Sequence, residues 1–423
     1  MIAVVADDVT GATDVAAAFR RRGLDTAIVF GVPATDTVVA DCDALVIALK
    51  SRTIPADEAV MESLESVSWA RRRGFERFFF KCCSTFDSTP AGNIGPVADA
   101  LTQHLGEALA IVTPASPIHE RTVFEGTLFV GSQLLSESSM RTHPLTPMTD
   151  ANLIRVMSAQ SRRRVGHVRH RIVEHGVEAV EAELERLLRQ GFGYAIVDAI
   201  NDADIETIGS VAARRVLAVG AAGLADGIAA ALQRDAGTKG TDEVRIPDLD
   251  AYRHAAVLAG SCSACTIEQV RVMARDSPAH RLDPVATANS DALAAAALRW
   301  YDELPDDRAP LIYSSLEPQE LREVQTVLGL AAAAELIEGA MAQIARGLVA
   351  RGVDRLIVAG GETSGSVTAA LDVTAGIVGN EEAVGVPWIF ADAGHPIALL
   401  LKSGNFGDPA LLARASNAAL RSS

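Results

Sequence analysis

Ile2-Ala3-Val4-Val5-Ala6-Asp7-Asp8-Val9-Thr10-Gly11-Ala12-Thr13-Asp14 decides the fold class. A short apolar run of strand type stops at two carboxylates. A Thr-Gly turn is expected next, then a helical pattern through Val15, Ala18 and Phe19. In open α/β sheets, ligands sit where strands end and helices begin. One aspartate there would be read as a helix cap. Two, followed by Thr10, Gly11 and Asp14, point to a polar ligand site.

Working outward, the alternation continues. Thr26–Phe30, Ala44–Ala48, Phe78–Phe80, Ala108–Val112 and Tyr194–Val197 read as strands. Asp14–Arg22, Ala56–Arg73, Ile94–Leu105 and Val177–Gln190 read as helices. Such alternation predicts βαβ units and a mostly parallel sheet. Val123–Val130 and the polar stretch to Asp150 interrupt it and read as an insertion near the ligand site. Gly and charge accumulate without periodicity before Asp250, after which the α/β pattern restarts. The expected architecture is α/β with two domains, residues 1–235 and 253–423, joined by a linker at 236–252. Each is a mostly parallel sheet flanked by helices, and the active site is expected in the interdomain cleft. A chain of 423 residues suits two cores better than one.

Composition narrows the chemistry. Aromatics make up only 4%, which fits Ala/Val/Leu-rich α/β packing. The net charge of -16 disfavours nucleic acid as a partner, because a generally acidic surface repels phosphate backbones. No apolar run reaches membrane-spanning length, so no membrane partner is expected. No charged n-region and apolar h-region open the sequence, and the five scattered cysteines read as free thiols; the expectation is a cytoplasmic protein. A homo-oligomer is compatible with the sequence, which does not fix a subunit number. No His/Cys cluster has structural zinc spacing, and metal ligands are not assignable.

Of four lysines, Lys50, Lys81 and Lys402 each follow an apolar run, placing three ammonium groups at strand ends where an anion would bind. After Phe78–Phe80 comes an unusually polar segment, Lys81 to Gly95. There Lys81 can neutralise a carboxylate, while Asp87 and Asn93 can hold hydroxyls and Ser88 adds another polar contact. Lys50-Ser51-Arg52 supplies a second cationic pair. With Asp7, these are the expected substrate-binding residues. The second half offers three Gly-containing polar turns after strands: Gly260–Ser263, Gly360–Ser366 and Lys402–Gly407. Free N–H groups at helix starts suit a phosphate, and glycine allows close approach. Neither a P-loop nor a dinucleotide fingerprint is present, which argues against a dinucleotide-dependent oxidoreductase. Polyol-and-acid chemistry in one half and phosphate-cradling turns in the other predict phosphoryl transfer, with ATP and Mg²⁺. The reaction needs a carboxylate near the attacking hydroxyl; Asp8 and Asp87 are the candidates, and the sequence does not choose between them.

These same residues carry a resemblance. Ala6–Ala12, the Asp87-Ser88-Thr89 to Gly92-Asn93-Ile94-Gly95 segment, Ala222–Ala225, Gly360–Ser364 and Lys402–Gly407 are similar to the four-carbon acid sugar kinase family over essentially the whole chain. Within it, Cys83–Thr89, Leu128–Gly131 and His143–Leu153 are similar to the branch acting on 3-oxo acids. Pro90-Ala91 stands where threonate and erythronate kinases often carry Leu-Arg, so Lys50, Arg52 or Lys81 is left to bind the acid. The Pro114–Thr122 loop departs from the branch's usual Asn-Gly before Arg. The resemblance implies ATP-dependent phosphorylation of the terminal hydroxyl of 3-oxo-tetronate, with the acid on the first domain and ATP on the second. It implies that Ser261 or Ser263, Gly360, Gly361, Glu362, Thr363 and Gly404 contact the nucleotide. D-threonate or D-erythronate phosphorylation is the alternative, and a non-catalytic sugar-acid-binding protein the alternative of another class.

Overall fold

The computed structural model describes residues 1–86, 89–142, 146–236, 246–305 and 308–417. They form two units, Met1–Val244 and Arg245–Ser423.

In the first unit, strands β1 (Ile2–Ala6), β2 (Thr26–Phe30), β3 (Ala44–Ala48), β4 (Arg77–Lys81) and β5 (Ala110–Thr113) come in turn. A hairpin sheet of β6 (Arg121–Phe124), β7 (Thr127–Val130) and β8 (Gln133–Leu134) follows, then β9 (Val165–Val168), β10 (Tyr194–Val197) and β11 (Leu217–Gly220). The main sheet runs β2-β3-β1-β4-β11-β5-β10-β9, and its pairings are parallel. Helices α1 (Val9–Arg21), α2 (Ala56–Arg72), α3 (Ile94–Leu105), α4 (Leu153–Gln160), α5 (His170–Val173), α6 (Val177–Arg189), α7 (Asp202–Ala212) and α8 (Ala222–Ala236) connect the strands. β1 and β3 are buried along their whole length and β4 from Phe78 on, which is why they read as continuous apolar runs rather than alternating ones. The register sets Ala6 beside both Ala48 and Lys81, and Lys81 beside Gly220. The loops after β1, β3 and β4 therefore emerge at one sheet edge.

The Val123–Val130 segment is the β6–β7 hairpin, turning at Glu125 and Gly126, both at positive φ. It is pinned by Asp198, a buried carboxylate after β10. Its oxygens accept from Glu125 N (2.8 Å), Gly126 N (2.9 Å) and His170 N (3.0 Å), and share a hydrogen bond with His167 Nε2 (2.9 Å). A buried carboxylate is tolerated where donors surround it.

The second unit contains β12 (Ala255–Ala259), α9 (Ala264–Met273), β13 (Ala279–Arg281), α10 (Ser290–Asp302), β14 (Leu311–Tyr313), α11 (Pro318–Leu328), α12 (Leu330–Val349), β15 (Arg355–Ala359), α13 (Gly361–Ala370), β16 (Ala375–Ala383), β17 (Val386–Asp392), β18 (Pro396–Lys402) and α14 (Leu411–Asn417). Its strand order is β13-β14-β12-β15-β18-β17-β16. The first five strands pair in parallel; β17 and β16 close the sheet as an antiparallel meander. The long Ala-rich stretch is two helices meeting at 103°, broken at Gly329 with φ 83. By composition and length this bent pair passes a test for a membrane span; among the described residues, no single helix does. Of the 236–252 stretch, 237–245 lies outside the described residues. Ile246 and Leu249 pack on the core of the second unit, and Tyr252 is buried within it.

Candidate active site

In the first unit the helix begins earlier than the sequence pattern suggests. Thr10 and Gly11 lie in the first turn of α1, because Asp8 is its N-cap. Asp8 Oδ1 accepts from Gly11 N at 3.0 Å, and Asp8 Oδ2 from Thr10 Oγ1 at 3.0 Å. Capping satisfies one of the orphan N–H groups of the helix start. The same carboxylate meets two cations. Arg52 Nη2 donates to Asp8 Oδ1 at 2.7 Å and to Asp7 Oδ1 at 2.8 Å, while Arg52 Nε donates to Asp7 Oδ2 at 2.9 Å. Lys81 Nζ stands 4.0 Å from Asp7 and 3.9 Å from Asp8. A Cβ on Gly11 would overlap both Asp8 Oδ1 and Lys81 Nζ, so only glycine leaves room for this cluster.

The backbone sets the cluster up. Asp7 N donates to Lys81 O at 3.1 Å, and Asp7 O accepts from Ser51 N and Arg52 N. Asn93 Nδ2 donates to Ser51 O (2.7 Å) and Ile54 O (2.9 Å), fastening the loop that carries Arg52. This donor of Asn93 is thus spent on positioning Arg52 rather than left facing a ligand hydroxyl. Lys50 is exposed. Asp87 and Ser88 lie outside the described residues.

Burial alone would raise the pKa of Asp8. The charges of Arg52 and Lys81, and the bonds from Thr10 and Gly11, outweigh it and hold Asp8 below the usual carboxylate range. Burial would likewise lower Lys81, but Asp7 and Asp8 overcome it and raise its pKa. Arg52 is held well above its ordinary value by the same two aspartates against burial. Both cations and Asp8 are therefore ionised at neutral pH. Such a cluster is stiff and electrically nearly balanced, and it can accept an anion by sharing Arg52 and Lys81.

A third cation was not singled out from sequence. Arg121, at the start of β6, donates from Nη1 to His119 O at 3.0 Å. Among the described residues its buried Nε has no acceptor. Burial lowers its pKa, with Cys83 and Glu120 opposing. His119 beside it shares a hydrogen bond with Ser116 Oγ at 2.8 Å. Burial, with Arg121, Arg21 and Lys81 nearby, pulls it down to about 4, so His119 is neutral at physiological pH. The only sequence signal was the unusual loop at Pro114–Thr122.

In the second unit the three Gly-containing turns converge. They follow β12, β15 and β18, which are neighbours in the sheet. Gly260 N and Ser261 N donate to Ala359 O, and Gly360 N donates to Lys402 O at 2.8 Å. A Cβ on Gly260 would overlap Thr363 Oγ1; one on Gly404 would lie 2.5 Å from Ser261 Oγ and 3.1 Å from Ser263 Oγ. Ser263 caps α9 by accepting from Thr266 N at 3.2 Å, and its hydroxyl donates to Gly404 O at 2.6 Å. Gly360, at φ 131, opens α13, so Gly361, Glu362 and Thr363 form its first turn. Glu362 is exposed and Thr363 buried. Two helix starts thus meet at one set of closely packed glycine turns, an arrangement that attracts anions through both N-terminal dipoles.

The comparisons fit this division. A family model described as a sugar-binding N-terminal domain matches residues 2–228, and one described as a nucleotide-binding C-terminal domain matches 256–412. The chain is similar to a 3-oxo-tetronate kinase of Methylobacterium radiotolerans, 47% identical over 97% of each chain. It is also similar to one of Brucella melitensis, 43% identical over 99% of this chain and 95% of the other. Among solved structures, a Salmonella typhimurium LT2 protein described provisionally as a tRNA synthase is 40% identical over 98% of each chain, with a TM-score of 0.87. A Haemophilus influenzae protein aligns with a TM-score of 0.78 at 40% identity over 98% of each chain. With both halves matched in order and near-full-length identity to named kinases, the chain belongs to the four-carbon acid sugar kinase family.

Proposed function

We propose that this chain is an ATP-dependent kinase that phosphorylates the 4-hydroxyl of 3-oxo-tetronate, giving 3-oxo-tetronate 4-phosphate. Its near-full-length similarity to proteins bearing that activity in their names carries the reading. The chemistry of the two units supports it. The acid belongs on the first unit, its carboxylate drawn to Arg52 and Lys81 and its hydroxyls to the polar segment that follows β4, with Asn93 holding the Arg52 loop in place. ATP belongs on the second, its phosphates over the turns at Ser261, Ser263, Gly360–Thr363 and Gly404.

In the reaction the substrate oxygen attacks the γ-phosphorus, the bond from that phosphorus to the β,γ-bridging oxygen breaks, and ADP leaves. The hydroxyl proton passes to a carboxylate. Asp8 and Asp87 are the candidates. Asp8 is ionised but held weakly basic by Arg52 and Lys81, which suits orienting the hydroxyl more than removing its proton unless the acid draws those cations away. Phosphoryl transfer depends mainly on alignment and charge neutralisation, so a weak base suffices.

Mg²⁺, when bound with ATP, would offset the charge of the phosphates. Among the described residues, no group of three or more His, Cys, Asp or Glu is arranged for a resident metal. An ion of this kind would arrive with the triphosphate and take one or two protein carboxylates. Glu362, in the first turn of α13, is the carboxylate offered there.

The test is purified protein with ATP and a panel of 3-oxo-tetronate, D-threonate and D-erythronate, following ADP release and the position of the new phosphate by phosphorus NMR. Turnover of either hydroxy acid with none of any 3-oxo-tetronate would overturn the substrate assignment.

A further inference from the structure

Lys402 ends β18 and is fully buried. Its Nζ donates to Thr266 Oγ1 at 2.9 Å, in the first turn of α9, and to Gly404 O at 2.9 Å. Both acceptors are neutral. Among the described residues no carboxylate pairs with it. Cys265 on α9 is the titratable side chain that acts on it. On α13 Glu362 points to the surface, on α14 Arg414 is bound to Glu382 and Asp408, and Arg355 sits at the opposite end of β15. An ammonium held out of water without a countercharge is costly. Lys81, at the corresponding place in the first unit, has two aspartates instead.

We propose that Lys402 is the cation that neutralises phosphate in the nucleotide site, its missing countercharge being supplied by the bound triphosphate. This rests on the reading of the second unit as the ATP site. The ammonium reaches the first turn of α9 and touches the Gly404 carbonyl, in the turn that packs against Ser261 and Ser263. A phosphate lying over the two helix starts is the nearest anion the fold can offer it. Burial pulls Lys402 down to about 8, so near that pH a good part of the free protein carries the neutral amine. Bound phosphate favours the ammonium, and by linkage the amine then takes a proton from solvent on binding.

The test is calorimetry of ATP binding at pH 8 in buffers of different ionisation enthalpy, with adenosine followed by competition, on the full chain and on Lys402→Met and Lys402→Arg. The wild type should take up a fraction of a proton with ATP and none with adenosine. Lys402→Met should abolish the uptake and weaken ATP by about 10–100-fold, while adenosine is unchanged. Lys402→Arg, always charged, should abolish the uptake yet keep most of the ATP affinity. Unchanged ATP affinity and uptake in Lys402→Met, or equal losses for ATP and adenosine, would reduce Lys402 to a clamp on the Gly404 turn. A wild type that binds adenosine and ATP nowhere fails earlier, refuting the nucleotide site itself and the inference with it.

Discussion

Replacing Arg52 by methionine removes the guanidinium that joins Asp7 to Asp8 and leaves the loop in place. Loop position depends on Ser51 N and Arg52 N bonding to Asp7 O, and on Asn93 Nδ2 bonding to Ser51 O and Ile54 O, none of which involves the Arg52 side chain. Asp7 is 5% exposed, so the variant holds two carboxylates against Lys81 alone. Deleting one member of a buried pair costs about 3–5 kcal/mol. The Arg52 side chain keeps 27% exposure, so water softens the loss, and we expect about 2–3 kcal/mol at pH 7. Urea denaturation of the first unit should show this as a midpoint lower by roughly 1 M. The pH dependence gives the sharper test. In the wild type Asp8 titrates below its ordinary value, so its contribution is complete above about pH 4 and fades as pH falls through that depressed value. In the variant, burial, the largest single influence on Asp8, loses its strongest opponent, and we expect it to lift Asp8 above the ordinary value. Ionising it then destabilises the fold as pH climbs through the raised pKa. The deficit must therefore widen from about pH 4 toward pH 7. A deficit that is flat over that range, or under about 0.5 kcal/mol throughout, would mean the cluster behaves as a solvated surface pair.

Gly404→Ala puts a methyl 2.5 Å from Ser261 Oγ; the KM for ATP should rise at least about tenfold with the melting temperature little changed, because the turn rather than the core must yield. Gly11→Ala pushes into Asp8 and Lys81, and steady-state kinetics should show the loss on the acid and kcat with ATP affinity retained. Asp198→Ala strands the N–H groups of Glu125, Gly126 and His170; chemical denaturation should register a loss of about 3 kcal/mol or more. Asp8→Asn and Asp87→Asn should separate the roles of the two candidates: the residue that takes the proton loses turnover at unchanged ATP affinity, whereas the orienting one loses acid KM as well.

The sequence makes the strands legible because a parallel strand buried on both faces has to be an unbroken apolar run; β2 and β3 fall at the expected residues. It is less informative where the cause is not local. The start of α1 at Val9 depends on Asp8 turning back to cap it, while Thr10-Gly11 suggests a turn. The hairpin at Val123–Val130 depends on Asp198, some seventy positions away. The β16–β17 meander carries Gly and Glu that blur its alternation. The same distinction separates Lys81 from Lys402. In sequence both are a lysine closing an apolar run, and both suggest an anion site. Yet Lys81 receives Asp7 and Asp8 from β1 and Arg52 from the loop after β3, so it is raised and its charge is already answered. Among the described residues Lys402 receives a threonine hydroxyl and a carbonyl, from α9 and its own turn, and no carboxylate, so it is lowered and its charge is unanswered. An acid bound at Lys81 must therefore compete with resident carboxylates, which favours weak, exchangeable binding of a small substrate. A polyanion at Lys402, as proposed, would meet no competing carboxylate among the described residues, which would favour tight binding. Asp7, Asp8 and Arg52 reach Lys81, and Thr266 reaches Lys402, through the fold and not as neighbours in the chain, so the contrast between the two lysines becomes visible only once the strands are side by side.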